Sequence, residues 1–271
     1  MVRELLTLPA HGGRYVNVHY GNEAAFQAAC LAGHTAIVQL LLSLDGEQQI
    51  DPNGGEEQAF RSACEHGRLE LVKLLLSLEG DRRVDVHAID ESCLKTACQS
   101  GHLDVVRELL SLEGDRRVDV HVQKGYCFQT ACYHGYIEVV RYFLSLEGDR
   151  IIDVNRNHGQ AFACACRCDH PDIVQLLLSL EGERRIDVNA GEGAALVSAA
   201  GAGHEDVVEH LLSLEGEHRV DVHARRDAAF VAACQLGRLG VAELLLSLEG
   251  DRRIDLHAYG EDALQHACTY G

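Results

Sequence analysis

The stretch "GHLDVVRELLSLEGDRRVDVH", from Gly101 to His121, decides the fold because close copies of it recur along the chain. "LLSLEGDRRVDVHA" begins at Leu75, "LLSLEGERRIDVNA" at Leu177 and "LLSLEGDRRIDLHA" at Leu245. A strict period of 34 residues, without insertions, indicates a repeat array rather than a site built once. The period is marked by one serine per copy, at Ser43, Ser77, Ser111, Ser145, Ser179, Ser213 and Ser247.

Composition excludes several classes of protein. The chain has 271 residues, of which 46% are hydrophobic, enough for a continuous core. No apolar run approaches the roughly 18 residues of a membrane span, and the first residues lack the pattern of a signal peptide. A net charge of −18 argues against a nucleic-acid backbone as the main partner. We therefore predict a cytoplasmic protein that binds neither membrane nor nucleic acid.

Each repeat is predicted to form two helices. Seven units cover residues 23–260, with partial repeats at 1–22 and 261–271, in one array over 1–271. In "ESCLKTACQSGHLDVVRELLSLEG", apolar or small residues form one stripe on each helix at 100° per residue. Gly101 ends the first helix, and Gly114 is expected at a left-handed C-cap of the second. The stripes contain Cys93, Leu94, Ala97 and Cys98, and Val105, Val106, Leu109, Leu110 and Leu112.

This pattern resembles the ankyrin repeat. "ACQSGHLDVVRELL" matches the family's A-A-x-x-G-H-x-x-V-V-x-L-L-L, and "VDVHA" is similar to its D-V-N-A. The resemblance implies a mostly α, ankyrin-like helix-turn-helix repeat solenoid, elongated and curved. The tetratricopeptide repeat shares the period of 34, but its Trp-containing pattern is missing and the chain has no Trp. The family's T-P-L-H becomes, for example, "SCLK", and a shorter approach to the first helix predicts a short finger.

Repeated cysteines and histidines have structural explanations. Cys at the eighth position of a unit is predicted to be a buried free thiol, which indicates a reducing compartment. His87 and its equivalents alternate with Asn, so we expect a turn residue with positive φ. The histidines of the "GH" pairs, such as His102, are expected to stabilise a turn by hydrogen bonding. The eighth-position cysteines are Cys30, Cys64, Cys98, Cys132, Cys166, Cys234 and Cys268.

Two other motifs offer chemistry. "CACRCDH", from Cys164 to His170, is a candidate zinc site, but Cys166 faces the core stripe while Cys164 and Cys168 lie on the opposite face. We therefore predict no metal and no cofactor, with Cys164 and Cys168 the more accessible thiols. The repeated "DRR" suggests either an anion-binding ladder, or a solvated loop whose charges pair locally and with the next copy. We favour the loop. The ladder would contain Arg82, Arg116, Arg184 and Arg252.

Comparing the copies with one another separates scaffold from variable surface. Positions 2, 5, 6 and 9 of each unit, with the last two positions of the preceding unit, vary freely; we call these side chains the helix-1 face. The resemblance implies that this face lines a concave groove where a partner binds. Free drift of an exposed surface is the alternative. The predicted partner-binding residues are Arg61, Lys95, Lys124, Tyr126, Gln129, Tyr133, Arg167, Arg225 and Arg226.

Two function classes follow. The first is a protein–protein interaction scaffold with no enzyme activity, binding a protein partner through the helix-1 face. The second is the targeting or recognition part of a larger enzyme or effector whose active domain lies outside this chain. The second class remains an alternative because the chain starts inside "VRELLTL", ends at Gly271 and shows no polar capping repeat.

Overall fold

The computed structural model of the chain describes residues 17–255. The predictions for His257, Cys268, the final partial repeat and most of the first one lie outside this range. Within it the chain forms seven helix pairs and no β-strand, which confirms the predicted helical repeat fold. The α-helices are α1 Tyr20–Ala32, α2 Thr35–Leu42, α3 Gly54–Glu65, α4 Leu69–Leu76, α5 Ala88–Gln99, α6 Leu103–Leu110, α7 Val122–His134, α8 Ile137–Leu144, α9 Arg156–Arg167, α10 Pro171–Leu178, α11 Ala190–Ala202, α12 Glu205–Ser213, α13 Ala224–Gln235 and α14 Leu239–Leu246.

The helices group into two compact units, one ending at Val122 and the other beginning at Gln123. In the first unit, the first helices of successive repeats pack together, α1 on α3 and α3 on α5. In the second unit α9 packs on α11 and α11 on α13 in the same way. Within a pair the second helix packs against the first, as α4 does on α3. Helices of 8 to 13 residues are marginal alone, so stacking supplies the burial that each one lacks.

The predicted apolar stripes form the core, except that Leu112 lies beyond the end of α6 and is only half-buried. On α5, Leu94, Ala97 and Cys98 are each 0% exposed. On α6, Val106 and Leu109 are also fully buried. Residues spaced three and four apart share one helix face, so each stripe faces the neighbouring helices and leaves the polar residues outside.

The recurring serine lies at the end of the second helix in each helix pair. Ser111 follows α6 directly, and its Oγ donates a hydrogen bond of 2.7 Å to the carbonyl of Glu108. All seven equivalents make this bond to the carbonyl three residues earlier, over 2.6–2.7 Å. Our placement of Gly114 at the C-cap is wrong: its φ is +67°, but it opens a short 3₁₀ turn, Gly114–Arg116. The serine has already satisfied a terminal carbonyl that a glycine cap would serve.

A left-handed turn takes the place of a long finger. Ile89, Asp90 and Glu91 have φ values of 50°, 55° and 59° at the start of α5. Such a conformation costs an L-residue about 1–2 kcal/mol, so contacts elsewhere must hold it. Six of the described repeats contain three consecutive residues of this kind, at 21–23, 89–91, 123–125, 157–159, 191–193 and 225–227.

Replacing Ile89 with Gly should raise the free energy of unfolding by about 1 kcal/mol, because a β-branched residue is strained at positive φ and glycine is not. The Ile89 side chain is 47% exposed, so the change removes little packing. Gly21, Gly55 and Gly191 occupy the same repeat position in other units. Urea denaturation measures the difference; a loss of stability would mean that Ile89 does not adopt the left-handed conformation.

The thiol predictions hold in part. Five eighth-position cysteines are 0% exposed, and burial raises the pKa of Cys30 to about 12, which makes its thiol unreactive. Cys234 is only half-buried. Cys164 was expected to be accessible and is 4% exposed, whereas Cys168 is half-buried. The buried set is Cys30, Cys64, Cys98, Cys132 and Cys166.

Candidate partner-binding face

The first arginine of each "DRR" belongs to the scaffold. Arg116 donates to the carbonyls of Leu76 and Leu78 in the preceding repeat, over 2.6 and 3.3 Å. The predicted solvated loop is therefore wrong for this arginine, because its guanidinium caps the preceding second helix. A guanidinium held by carbonyls is also unsuited to the alternative anion ladder. Arg82, Arg184 and Arg252 make the equivalent bonds, to Leu42, Leu144 and Leu212.

The second arginine pairs with the next copy, as predicted. Arg83 Nη1 lies 2.6 Å from Asp115 Oδ2 in the following repeat. Arg219 pairs with Asp251 in the same way, over 2.8 Å. These side chains are 40–75% exposed, so each pair contributes little on its own.

The "GH" histidine also joins two repeats. His170 Nε2 donates to the carbonyl of Tyr133 over 3.0 Å, at the end of the preceding first helix. Gly135 has φ +78°, and a Cβ there would lie 2.5 Å from the His170 ring. A side chain at Gly135 would therefore displace the His170 ring, although Asp169 occupies the equivalent position before His204. His102 and His204 make the same bond, to the carbonyls of Glu65 and Arg167.

The histidine or asparagine that precedes the first helix of a repeat makes hydrogen bonds to the following repeat, and we call this link the latch. Our expectation of positive φ is wrong, since φ is −92° at His87 and −92° at Asn155. The position serves hydrogen bonding instead. Asn155 Nδ2 donates to the carbonyl of Arg185 over 2.8 Å. His87 contacts Glu91 Oε1 through Nδ1, over 2.8 Å, and the carbonyl of Asp115 through Nε2, over 2.9 Å.

The latch favours the doubly protonated ring. Both nitrogens of His87 face oxygens that can only accept hydrogen bonds, so both must carry protons to be satisfied. The bond to Glu91 and the bond to the Asp115 carbonyl raise the pKa of His87 above its usual value. His223 has the same arrangement with Asp227 and the carbonyl of Asp251, and its pKa is raised likewise.

We expect NMR titration to give His87 and His223 pKa values above about 6.5. The folded state then binds the proton more tightly, so the latch stabilises the fold fully below about pH 6.5 and loses this contribution as pH rises through the raised pKa. The difference in unfolding free energy between wild type and His87→Asn should therefore shrink from about pH 6 to about pH 9. Asn155 provides the natural precedent for the replacement. A difference that stays constant with pH would contradict the charged latch.

The helix-1 face is only partly solvent-exposed. At position 6, Ser62, Thr130 and Cys164 are 4–7% exposed, although the helical wheel places this position opposite the core. Neighbouring first helices pack side by side and cover one edge of the wheel. Cys164 Sγ illustrates this, since it accepts hydrogen bonds from Gln129 over 3.8 Å and Gln160 over 3.4 Å. The exposed part of the face therefore consists mainly of position 9 and the left-handed turns.

In the first unit, the two predicted binding residues fold back on their own repeats. Lys95 Nζ donates to the carbonyl of Ile89 over 3.3 Å and lies 3.5 Å from Asp90 Oδ2. Its side chain is only 15% exposed. Arg61 is half-buried and donates to Gln58. Both residues support the turn or helix on which they lie.

In the second unit, Tyr133 and Arg167 form an exposed aromatic–cation pair. Both occupy position 9, on α7 and α9, and the guanidinium carbon lies 5.2 Å from the centre of the tyrosine ring. Tyr133 is 38% exposed. Tyr126 and Gln129 were expected beside it on the solvent side but are half-buried, because their positions point toward the neighbouring first helix.

The remaining predicted residues of the second unit lie on the left-handed turns. Lys124, Arg225 and Arg226 are all exposed, with φ values of 60°, 52° and 60°. Arg225 Nε lies 2.7 Å from Glu192 in the preceding repeat. This pair borders an open groove of about 390 Å³, lined by Asn157, His158, Gln160, Gly191, Glu192, Ala194 and Arg225.

The comparison between copies did not identify two residues of this exposed surface, Arg156 and His158. Arg156 is exposed on the turn of α9, and its Cδ lies 3.9 Å from where a Cβ on Gly125 would stand. Most other repeats have Ala, Val or Gly at this position, so the only signal was its arginine, a departure shared in kind by Tyr20 alone. His158 lines the groove but occupies a position that varies widely between copies.

Across residues 17–255, no group of three or more His, Cys, Asp or Glu side chains is placed to hold a metal ion. In the same range, every helix is too short or too polar to cross a membrane.

Paired helices joined by side chains that reach one repeat backward or forward, with a varied first-helix surface, define a helical repeat protein of the kind that binds other proteins. A family model of three ankyrin repeats matches the chain in overlapping windows, at residues 1–90, 26–122, 60–157, 94–192 and 130–226. The chain therefore belongs to the ankyrin repeat family, whose repeats are generally protein–protein interaction modules. No curated protein matches the chain.

Proposed function

We propose that the chain is a protein-binding scaffold without chemistry of its own, and that its partner binds the helix-1 face of the second unit. The observation that carries the proposal is the Tyr133–Arg167 pair, with its two centres 5.2 Å apart on adjacent repeats. Tyrosine and arginine are enriched at interface hot spots because each combines a large contact area with hydrogen bonding. Neither side chain is needed by the core, since both are exposed.

The interpretation as a binding scaffold also explains the presence of polar residues that could otherwise have served catalysis. Arginines and histidines of the repeated segment bond carbonyls or carboxylates of neighbouring repeats, as Arg116 and His170 do. Buried thiols such as Cys30 have raised pKa values and make poor nucleophiles. What varies between copies is the surface that a partner would contact.

Replacing Tyr133 and Arg167 together with Ala should weaken binding of a partner at least about 30-fold, because truncating one hot-spot residue costs about 2 kcal/mol or more. Stability should change by no more than about 0.5 kcal/mol per exposed residue. Affinity capture with wild type and variant as parallel baits, quantified by mass spectrometry, identifies the partner; titration then measures the loss.

The matched control is Arg141→Ala on α8, an exposed arginine on the other helix of the same pair. It should leave binding unchanged. A partner that binds the double variant as tightly as wild type would refute the assignment to the helix-1 face.

A further inference from the structure

The charge of the second unit is distributed unevenly. Residues 123–255 contain 13 Lys and Arg against 21 Asp and Glu, a net charge of −8. The helix-1 face and its turns run against this balance, with five exposed cations and one exposed carboxylate, Glu192; the other turn carboxylate, Asp227, is buried against His223. The rest of the unit therefore carries −12. The five cations are Lys124, Arg156, Arg167, Arg225 and Arg226.

The one carboxylate on this surface is already neutralised. Glu192 lies 2.7 Å from Arg225 Nε, which leaves the other four cations without an ion pair among the described residues. Arg167 is also oriented by its contact with the Tyr133 ring. An arginine held by its planar face keeps its N–H edge free to bind a carboxylate in a bidentate manner.

Equivalent turn residues, one per repeat, form a row that has a cation at each end. The second residue of each left-handed turn is Lys124, His158, Glu192 and then Arg226, one per repeat. Packed helices lie about 8–10 Å apart, so the row covers about 30 Å. An extended peptide advances about 3.3 Å per residue, and about nine residues would match this length.

We propose that the second unit's helix-1 face binds an extended acidic peptide segment of a partner protein. Its carboxylates pair with Lys124 and Arg226 at the ends of the row and with Arg156 at the start of α9. The middle of the peptide lies over the groove lined by Asn157, His158 and Gln160, which offers polar side chains for neutral residues. This inference rests on the proposed function and names the chemistry of the partner.

A peptide suits this surface better than a nucleic acid does. The cations occupy one face of a chain whose total charge is −18, and a long polyanion would extend beyond them over the acidic remainder. Screening at physiological salt limits repulsion to about 8 Å, so a segment confined to the row avoids most of it. A peptide can also place neutral residues against the Glu192–Arg225 pair.

Selection from a phage library of random peptides about twelve residues long, on the full chain, tests the proposal. We expect enrichment of Asp and Glu toward both ends of a stretch of about nine residues, with neutral residues between them. Fluorescence anisotropy should show the most enriched peptide binding at least about tenfold more weakly to the Lys124→Glu, Arg226→Glu double variant. The matched control changes the same charge at two exposed arginines outside the face, Arg141→Glu with Arg253→Glu, and should weaken binding much less.

Several outcomes would overturn the proposal. They are enrichment of peptides without carboxylates, no enrichment, an equal loss in the control variant, or tighter binding of an oligothymidine than of the acidic peptide. A dimer that the double variant abolishes, with no peptide binding, would assign the face to a second copy of the chain. If the peptide fails but a captured partner still depends on Tyr133 and Arg167, the inference falls and the proposed function stands. If that dependence is also absent, both fall.

Discussion

Phe143→Ala should lower the free energy of unfolding by about 3–5 kcal/mol, the usual cost of truncating a buried aromatic residue. Phe143 is 0% exposed on α8. Its ring meets that of Phe128 edge to face, with centroids 6.2 Å apart at 84°. The truncation loses apolar burial, the aromatic contact and close packing, because short helices leave little freedom for the site to collapse. Denaturant unfolding followed by circular dichroism measures the loss.

The adjacent Leu144→Ala is the matched control. The second-helix stripe, in which Leu110 is buried, predicts burial for the equivalent Leu144, but Leu144 is only half-buried. Its truncation should cost about 1 kcal/mol. Equal losses for the two variants would show that Phe143 does not carry the packing described here.

Arg116→Ala should cost about 1.5–3 kcal/mol, the range for hydrogen bonds made by a charged group. Arg116 bonds the carbonyls of Leu76 and Leu78 in the preceding repeat. Leu76 is the last residue of α4, and Leu78 follows the C-cap residue of that helix. Without the guanidinium these carbonyls lose their partner, and the two repeats lose a direct link. Hydrogen exchange should accelerate in α4 as well as near residue 116, because the bond joins the two repeats.

Arg83→Ala provides the comparison within the same unit. Arg83 pairs with Asp115 over 2.6 Å, a shorter contact than many buried bonds, yet both side chains are well exposed. Replacing Arg83 with Ala should lower the free energy of unfolding by no more than about 1 kcal/mol, since solvent screens the ion pair. If Arg83→Ala lowered the free energy of unfolding more than Arg116→Ala does, burial would be the wrong basis for ranking the contributions of these arginines to stability.

What the sequence predicted well is what depends on one repeat. The stripes of α5 and α6 follow from the spacing of Leu94 and Ala97 and of Val106 and Leu109, because helix geometry fixes which residues share a face. The resemblance to ankyrin repeats supplied the pairing of the helices. The separation of a varied surface from a constant scaffold likewise required only a comparison between copies.

What the sequence did not predict depends on the neighbouring repeat. Arg116 reads as a solvated loop residue until the preceding repeat places the Leu76 carbonyl beside it. Cys164 lies opposite the core on an isolated helix but is covered by Gln129 and Gln160. The left-handed turn was hidden because Ile89 and Lys124 are not residues that favour positive φ, and only the surrounding contacts hold them there.

The links between repeats all connect fixed positions in adjacent copies. Arg116 reaches back 40 residues, His170 reaches back 37 and Asn155 reaches forward 30, and each distance is set by the 34-residue period. Deleting or duplicating one whole period therefore returns every donor to an equivalent acceptor. Gene segments coding for such similar copies can recombine out of register, so the array can gain or lose binding surface in whole units. Evolution of this chain can thus proceed by changing copy number as well as by point substitution.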